Sequence, residues 1–492
     1  MSESPSMVAK TVDENVQEYF GPISDWIVEK VFYAVDINGA SVPLIVLWLI
    51  IAAVFFTVWL GIPQLSLSHS INLVRGWYAK DAHSGEVSHF QALATAVSGT
   101  VGLGNIAGVA VAISLGGPGA TFWMIVAGFF GMAAKMAECT LGVMYRRERA
   151  DGTVSGGPMY YLRDGVAKVT GNVGLGKFLA AFFAVCCIGG ALGGGNMFQA
   201  NQATAQIIAV TGGDDSFFAD TKWLIGLVFA VAVGVVIIGG IKSIAKVTEK
   251  LVPLMAAVYL AACLVVILGS IDQVPGAIGD IVSGAFSAEG IAGGFVGVLI
   301  VGFQRAAFSN EAGVGSASIA HSAVKTKEPA TEGFVALLEP LIDTIIICTM
   351  TALTIVITGA WDDNDATELD GVALTSRAFE SVIPWFPNVL AVAVVLFAFS
   401  TMISWSYYGM KATGYLFGDS TKAELVFKVI FCLFTVIGAS LTLTPVIGFS
   451  DAMIFMMSIA NVIGLYILAK VLRNEVQRHR AKVRSGEFAR VK

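Results

Sequence analysis

The chain has 492 residues, of which 56% are hydrophobic and 13% charged, with mean hydropathy +0.76 and formal net charge −6. A soluble domain is about 45–50% apolar and about 25% charged, so this chain has too few polar side chains to coat a soluble particle. Apolar stretches of about 20 residues recur, each enough to cross a hydrocarbon core of about 30 Å, and the bilayer is the solvent they imply.

Residues 1–42 contain an amphipathic stretch over 16–35, with Trp26, Ile27, Val31, Phe32 and Val35 interleaved with acids. It is expected to form a periplasmic or interfacial segment lying along the membrane surface. No basic region followed by an apolar core opens the chain, so a cleaved signal peptide is not expected. Spans are then predicted over 43–63, 88–115, 119–145, 178–210, 222–241, 251–270, 293–320, 333–358, 385–409, 425–444 and 447–469. A basic tail over 470–492 follows. The reading is therefore an all-α polytopic membrane protein of about eleven transmembrane helices. Its six cysteines (Cys139, Cys186, Cys187, Cys263, Cys348, Cys432) fall in apolar spans without metal-ligand spacing and read as small buried hydrophobes.

The connections alternate in charge. Segment 146–177 carries Arg146, Arg147, Arg149, Arg163, Lys168 and Lys177, segment 242–250 carries Lys242, Lys246 and Lys250, and the tail is basic. The intervening loops carry Asp214, Asp215 and Asp220, then Asp272, Asp280 and Glu289, then Asp362, Asp363, Asp365, Glu368 and Asp370, with Arg377 their lone cation. The bias of lysine and arginine toward cytoplasmic loops puts the N-terminus outside and the C-terminus in the cytoplasm.

Two spans depart from plain apolar helix. The second contains Ser98-Gly99-Thr100-Val101-Gly102-Leu103-Gly104-Asn105, and the seventh contains Phe308-Ser309-Asn310-Glu311-Ala312-Gly313-Val314-Gly315-Ser316. Glycine costs a helix about 1 kcal/mol each, and these runs cluster it with polar residues at membrane depth. Backbone freed there must be buried in protein or line a cavity, because lipid cannot satisfy it. The two spans are five apart, which divides the chain into one extra span (43–63) and two five-helix sets, 88–270 and 293–469. Sets with an odd number of helices have opposite topologies, so the arrangement is that of an inverted repeat, each half opened by a discontinuous helix. Faces for close helix packing better describe Gly116-Gly117 and Gly189-Gly190.

The run Val101-Gly102-Leu103-Gly104-Asn105 resembles the unwound first core helix of neurotransmitter:sodium symporters, which have the LeuT-type fold. A longer resemblance is to the alanine or glycine:cation symporter family. It rests on SGTVGLGNIAG, GGPGATFW and FFGMAAKMAECTLGVMYR within 98–147, SGGPMYYL (155–162), GGNMFQANQ (194–202) and GFQRAAFSNEAGVGSASIAH (302–321), and it covers roughly 88–470. It implies sodium-coupled uptake of alanine or glycine by a LeuT-type core of ten helices with one additional span. The expected location is the plasma membrane, as a bacterial inner-membrane protein.

A zwitterionic amino acid needs partners for its carboxylate and its ammonium. N–H groups exposed at a helix break present partial positive charge to a carboxylate. Leu103, Gly104 and Asn105 are the natural donors, with Gly102 and Gly104 permitting close approach to the backbone. For the ammonium, Thr100 and Gln199 are candidates, the latter competing with Asn196, Asn201 and Gln202; Phe303 is the candidate to close over the alanine methyl. The resemblance implies a sodium site joining carbonyls of the second span, here Ser98 and Val101, to Ser400, Thr401 and the Phe397 carbonyl on the ninth. A second sodium site would use Asn105 and Thr100. Sodium is the expected co-transported ion, with no organic cofactor.

Charges inside spans are functional candidates by default. Lys135 and Glu138 share a helical face as a structural pair or gate, and Arg305 and Glu311 flank the break of the seventh span as a releasable pair. Glu339 and Asp343 lie four apart, where like charges repel unless one is protonated or paired; this keeps proton coupling open as an alternative to sodium. The five histidines (His69, His83, His89, His321, His479) fall near cytoplasmic ends or loops and show no acid–base–metal cluster, so an enzyme is not expected. A channel or transport-like sensor is less favoured, because polar groups concentrate at the two breaks instead of lining a continuous pore. No basic aromatic-laced patch points to nucleic acid, and no Gly-x-x-x-x-Gly-Lys-Ser/Thr loop to ATP.

Overall fold

The computed structural model describes residues 12–37, 40–78, 85–148, 153–287, 294–362, 371–418 and 420–488. Arg149, Glu289, His83 and the acidic Asp363, Asp365, Glu368 and Asp370 lie outside the described residues. The structure is helical apart from two short antiparallel hairpins, β1 (Ala34–Ile37) with β2 (Ala40–Pro43) and β3 (Arg147–Glu148) with β4 (Val154–Ser155).

In chain order the helices are α1 (Val12–Val31), α2 (Leu44–Trp59), α3 (Leu67–Val74), α4 (His89–Thr100), α5 (Gly104–Gly116), α6 (Gly119–Met144), α7 (Val173–Val210), α8 (Lys222–Ile237) and α9 (Gly240–Gly269). Then come α10 (Val274–Ala285), α11 (Gly294–Asn310), α12 (Ala317–His321), α13 (Pro329–Ile357), α14 (Val372–Glu380), α15 (Phe386–Leu416), α16 (Thr421–Ser440) and α17 (Leu443–Ser485). Each predicted span has helical counterparts at these positions. Among the described residues, seven helices are long and apolar enough to cross a membrane, and up to nine if each of two bent pairs is one span.

The bends have local causes. Between α2 and α3 the direction changes by 58°, at Gly61 and Ile62, both with positive φ. Between α4 and α5 it changes by 51°. A capping box starts α4: the Ser88 hydroxyl accepts from the Gln91 N–H, and the Gln91 side chain accepts from the Ser88 N–H. The helix then stops at Val101, whose ψ of 86° leaves the helical region. Between α11 and α12, Glu311, Gly313 and Gly315 all have positive φ, at 55°, 85° and 96°. Three left-handed residues in five end a helix, and Glu311 holds that conformation without glycine's freedom.

Both glycine pairs read as packing faces do pack closely. A Cβ on Gly190 would lie 3.0 Å from Met457 Sδ and 3.4 Å from the Trp405 ring, and one on Gly116 would lie 3.1 Å from Ala120 Cβ. The central helix is α6, surrounded by α2, α10, α11, α12 and α13. Helix α1 lies along the start of α17, where Phe20 meets Phe449 with centroids 5.2 Å apart and Ser24 donates to the Pro445 carbonyl at 2.8 Å. Its other face exposes Tyr19, Ile23 and Trp26. The cysteines are buried, except the half-buried Cys432.

Candidate functional site

The α4–α5 break crosses the core beside α7, α11, α13 and α15, and every residue from Ala92 to Ile113 is buried. Its backbone groups find side-chain partners. The Gly102 N–H donates to Asn105 Oδ1 at 2.9 Å, and the Leu103 N–H donates to Gln199 Oε1 at 3.0 Å. Gln199 in turn donates to the Gly194 carbonyl at 2.9 Å, where α7 passes through a widened turn over Gly193–Met197. Wide turns of this kind recur at functional sites because they turn side chains out of the regular register. Thr100 is buried, with its hydroxyl directed at the Ala96 and Val97 carbonyls of its own helix.

The opposite side of the break meets α15. Thr401 Oγ1 donates to the Ser98 carbonyl at 3.0 Å, Ser98 Oγ donates to the Ser400 carbonyl at 2.7 Å, and Ser400 Oγ donates to the Phe397 carbonyl at 2.9 Å. Four of the five residues assigned to sodium are thus joined in one hydrogen-bonded cluster. Val101 follows on the same break, adjoining Gly102, whose added Cβ would lie 3.2 Å from Thr401 Cβ.

Asn105 links this break to α13. Its Nδ2 donates to Asp343 Oδ1 at 2.7 Å and to the Asp343 carbonyl at 3.0 Å. Ser309 Oγ and Thr344 Oγ1 donate to Asp343 Oδ2 at 2.9 and 2.7 Å. Asp343 is fully buried, and its hydrogen-bond partners Asn105, Ser309 and Thr344 are all neutral. A carboxylate so placed is a natural ligand for a cation. Ser309 and Thr344 carry no signal in the sequence beyond lying near the breaks.

Two expectations around the breaks are corrected. Phe303 faces away from the break, near Trp123 at 6.4 Å between ring centroids, and lines a small cavity with Val46, Leu49 and Ala127. Phe308 is the phenylalanine at the break: a Cβ on Gly104 would lie 3.7 Å from its Cδ1, and its ring meets Phe198 edge-on at 5.2 Å. Arg305 pairs with Asp451 on α17, not with Glu311. Six residues on a helix turn the side chain to another face, and the left-handed Glu311 stands outside α11 altogether. Glu311 instead accepts from Ser316 Oγ and from Trp405 Nε1, the latter at 3.1 Å.

Lys135 pairs with Glu339 at 3.2 Å, whereas Glu138 accepts from Asn461 Nδ2 at 2.8 Å. Of Glu339 and Asp343, Glu339 is the one paired, with Lys135 at 3.2 Å and His321 at 2.6 Å, whereas Asp343 accepts from Asn105, Ser309 and Thr344. The expected absence of an acid–base cluster around histidine is also overturned. His321 bridges Glu332 at 2.7 Å and Glu339 at 2.6 Å, and His89 meets Glu332 at 2.5 Å. Residues far apart in sequence build this cluster, so spacing could not reveal it.

A model of the sodium:alanine symporter family matches residues 25–492. The sodium/alanine symporter AgcS of Methanococcus maripaludis is 39% identical over 448 residues, which cover 89% of this chain and 96% of the relative. The probable sodium/glutamine symporter GlnT of Bacillus subtilis is 32% identical over 446 residues, covering 90% of this chain and 89% of the relative. Among solved structures, MhsT in complex with L-phenylalanine superposes with a TM-score of 0.53 at 16% identity, covering 80% of this chain and 98% of that one. That likeness is one of fold, of the LeuT type. The chain belongs to the sodium:alanine symporter family, and is a multi-pass membrane transporter for cation-coupled amino-acid symport, not an enzyme.

Proposed function

We propose that this protein imports alanine, and glycine with it, driven by the sodium gradient, through alternating access around the α4–α5 break. The observation that supports the reading is the junction of that break with α15, where the Thr401 hydroxyl donates to the Ser98 carbonyl, the Ser98 hydroxyl to the Ser400 carbonyl and the Ser400 hydroxyl to the Phe397 carbonyl. Unwound carbonyls and hydroxyls are the ligands that transporters use for sodium, binding firmly enough to load and weakly enough to release. The Val101 carbonyl completes the set.

The amino acid's carboxylate is received at 102–105. The Gly102 and Leu103 N–H groups already hold amide oxygens, from Asn105 and Gln199. An incoming carboxylate exchanges with these acceptors, and the freed Gln199 oxygen and Thr100 hydroxyl turn to the ammonium. Phe308, Phe198 and Ile454 bound the space next to Gly104 and Gly194, where a Cβ on Gly194 would lie 3.4 Å from Phe308. So tight an apolar wall supports a methyl-sized side chain over glutamine. Asp343, with Asn105, Ser309 and Thr100, forms a second cation site, in which the carboxylate supplies charge that the first site lacks.

The eleven-span reading fits this function: one extra span, α2, ahead of two inverted five-helix sets, 88–270 and 293–469. The face bearing Arg146 and the end of α17 is cytoplasmic and the N-terminal segment lies outside, in a bacterial inner membrane. The test is radiolabelled alanine uptake into proteoliposomes with sodium, lithium and proton gradients imposed separately, competed by glycine, serine and glutamine. Sodium-driven uptake competed by glycine and not by glutamine is expected. Uptake indifferent to sodium, or better competed by glutamine, would overturn the assignment.

A further inference from the structure

Away from the substrate break, five titratable side chains form one unbroken chain from the basic face into the core. His89 Nδ1 lies 2.5 Å from Glu332 Oε2, and Glu332 Oε1 lies 2.7 Å from His321 Nδ1. His321 Nε2 lies 2.6 Å from Glu339 Oε1, and Glu339 Oε2 lies 3.2 Å from Lys135 Nζ. The outer end meets solvent: the His89 side chain is 23% exposed and lines an open cleft of about 500 Å³ with Ser88, Gln91, Lys325 and Thr331. Glu332, His321, Glu339 and Lys135 are completely buried.

The charges do not balance without added protons. One ammonium, Lys135, faces Glu339, Glu138 on its own helix, Glu311 at the second break and Asp343, and Glu332 adds a fifth buried carboxylate beyond His321. Arg146, a guanidinium within electrostatic reach of Glu332, is engaged by the Ser322, Val324 and Thr326 carbonyls and by Glu148. The other titratable neighbours, the Cys139 thiol and the Tyr161 and Tyr408 phenols, supply no positive charge. Unneutralised charges in so dry a site are costly, so the cluster favours taking up protons. Although Cys139, His321 and Glu339 cluster closely enough for a metal ion, the Lys135 ammonium on Glu339 opposes a second cation there.

We propose that this chain is a proton site, distinct from the alanine and sodium ligands, which loads and unloads through His89 from the basic face during the transport cycle. Imidazole suits this task because it takes a proton on one nitrogen while giving one up from the other. Water delivers a proton to His89 Nε2 as Nδ1–H passes its proton to Glu332. Glu332 passes one to His321 Nδ1 as His321 Nε2–H protonates Glu339. Only N–H and O–H bonds form and break, and one proton is gained at Glu339 for each taken from water.

Neutralising Glu339 leaves Lys135 to Glu138 and Glu311. Glu311 accepts from Trp405 Nε1 at 3.1 Å, and the same N–H is directed at the Gly99 carbonyl at 3.2 Å. The proton is thereby sensed where both broken helices meet α15.

The inference rests on the proposed alanine symport, and the experiment separates the two. Full-length protein is reconstituted in proteoliposomes holding a pH-reporting dye, and sodium-driven alanine uptake and internal pH are followed together, with and without a protonophore. Wild type is expected to show alanine-dependent proton movement that the protonophore dissipates. His321→Gln and, at the exposed end, His89→Gln are expected to lose that movement and the pH dependence of uptake while keeping alanine–alanine exchange. Absence of any alanine uptake overturns the symport reading and this inference with it. Normal uptake without proton movement in wild type, or proton movement retained in both variants, overturns the inference alone.

Discussion

Gly102→Ala presses on the proposed sodium site with a single methyl group. A Cβ built on Gly102 would lie 3.0 Å from Gln199 Oε1, 3.2 Å from Thr401 Cβ, and nearer still to Thr401 Oγ1. None of these neighbours can retreat freely, since Thr401 is bound to the Ser98 carbonyl and Gln199 to the Leu103 N–H and the Gly194 carbonyl. Overpacking of this kind costs about 1–3 kcal/mol. Relief by rotating Thr401 away removes a proposed sodium ligand, so the same energy is expected to appear as about a 5- to 150-fold loss of sodium affinity. The assay is the sodium concentration dependence of alanine uptake in proteoliposomes. Gly108→Ala serves as the control, because it lies in the same broken span with nothing within 4 Å of an added Cβ. An unchanged sodium requirement in well-folded Gly102→Ala protein would refute the assignment of this junction to sodium.

Thr401→Val keeps the shape of the side chain but removes its hydroxyl, and should raise the sodium requirement with little loss of membrane expression; unchanged sodium dependence would remove the site. Asp343→Asn should weaken a second sodium-binding event in equilibrium titration while leaving the first in place, and two intact events would exclude Asp343 as a ligand. Arg305→Met leaves Asp451 charged and unpaired in the core, a loss of about 3–5 kcal/mol, whereas adding Asp451→Leu should restore most of it; thermal unfolding in detergent compares the two, and equal instability would rule out pairing as the cause. His69 and His479 face each other at 3.0 Å between their Nε2 atoms, where α3 meets the end of α17. Burial holds His69 down at about 4, and burial together with His69, Arg478, Lys482 and Arg480 holds His479 down at about 3. Both histidines stay neutral when docked and take protons when released, so docking is strongest above about pH 6.5 and weakens as pH falls toward about 4. Hydrogen exchange of residues 476–488 should rise over that window, and a flat profile would refute the effect.

Much of this arrangement is legible in sequence because the bilayer simplifies the reading. Apolar length marks the spans, and glycine beside polar residues at membrane depth marks the breaks, at Gly102 and Gly104 and again at Gly313 and Gly315. The residues joined across the first break, Ser98 with Ser400 and Thr401, were accessible through resemblance, since nothing in their spacing links positions some 300 apart. Side-chain direction was not legible. Phe303 and Phe308 lie on the same helix, and choosing between them requires knowing which face of α11 meets α5. The pairing of Lys135 followed helical spacing to Glu138, but Asn461 on α17 takes Glu138 and leaves Lys135 to Glu339. Widened turns in α7 and α13 add to the difficulty, because they shift the register that such spacing assumes.

These corrections share one physical pattern. Arg305 and Lys135, expected to pair within their own spans, pair across to other helices, with Asp451 and Glu339, and His321, for which no partner was expected, likewise reaches Glu332 and Glu339 on another helix. A pair within one helix moves with it and gives no information about its neighbours. A pair between helices must break or slide whenever the helices move apart, and leaving either member unpaired in so dry a core is costly. Such pairs therefore favour a few discrete packings over a continuum, the condition under which a small event at a binding site becomes a large movement. Trp405 lies at the meeting point, its indole N–H facing both the Gly99 carbonyl of the first broken helix and the Glu311 carboxylate of the second. A ligand that tightens the first break competes for that N–H, and a change of charge near Glu311 does so from the other side. Through this one donor, occupancy of the proposed substrate site and protonation of the proposed proton site would bear on the same equilibrium, which is the thermodynamic requirement for coupling between them.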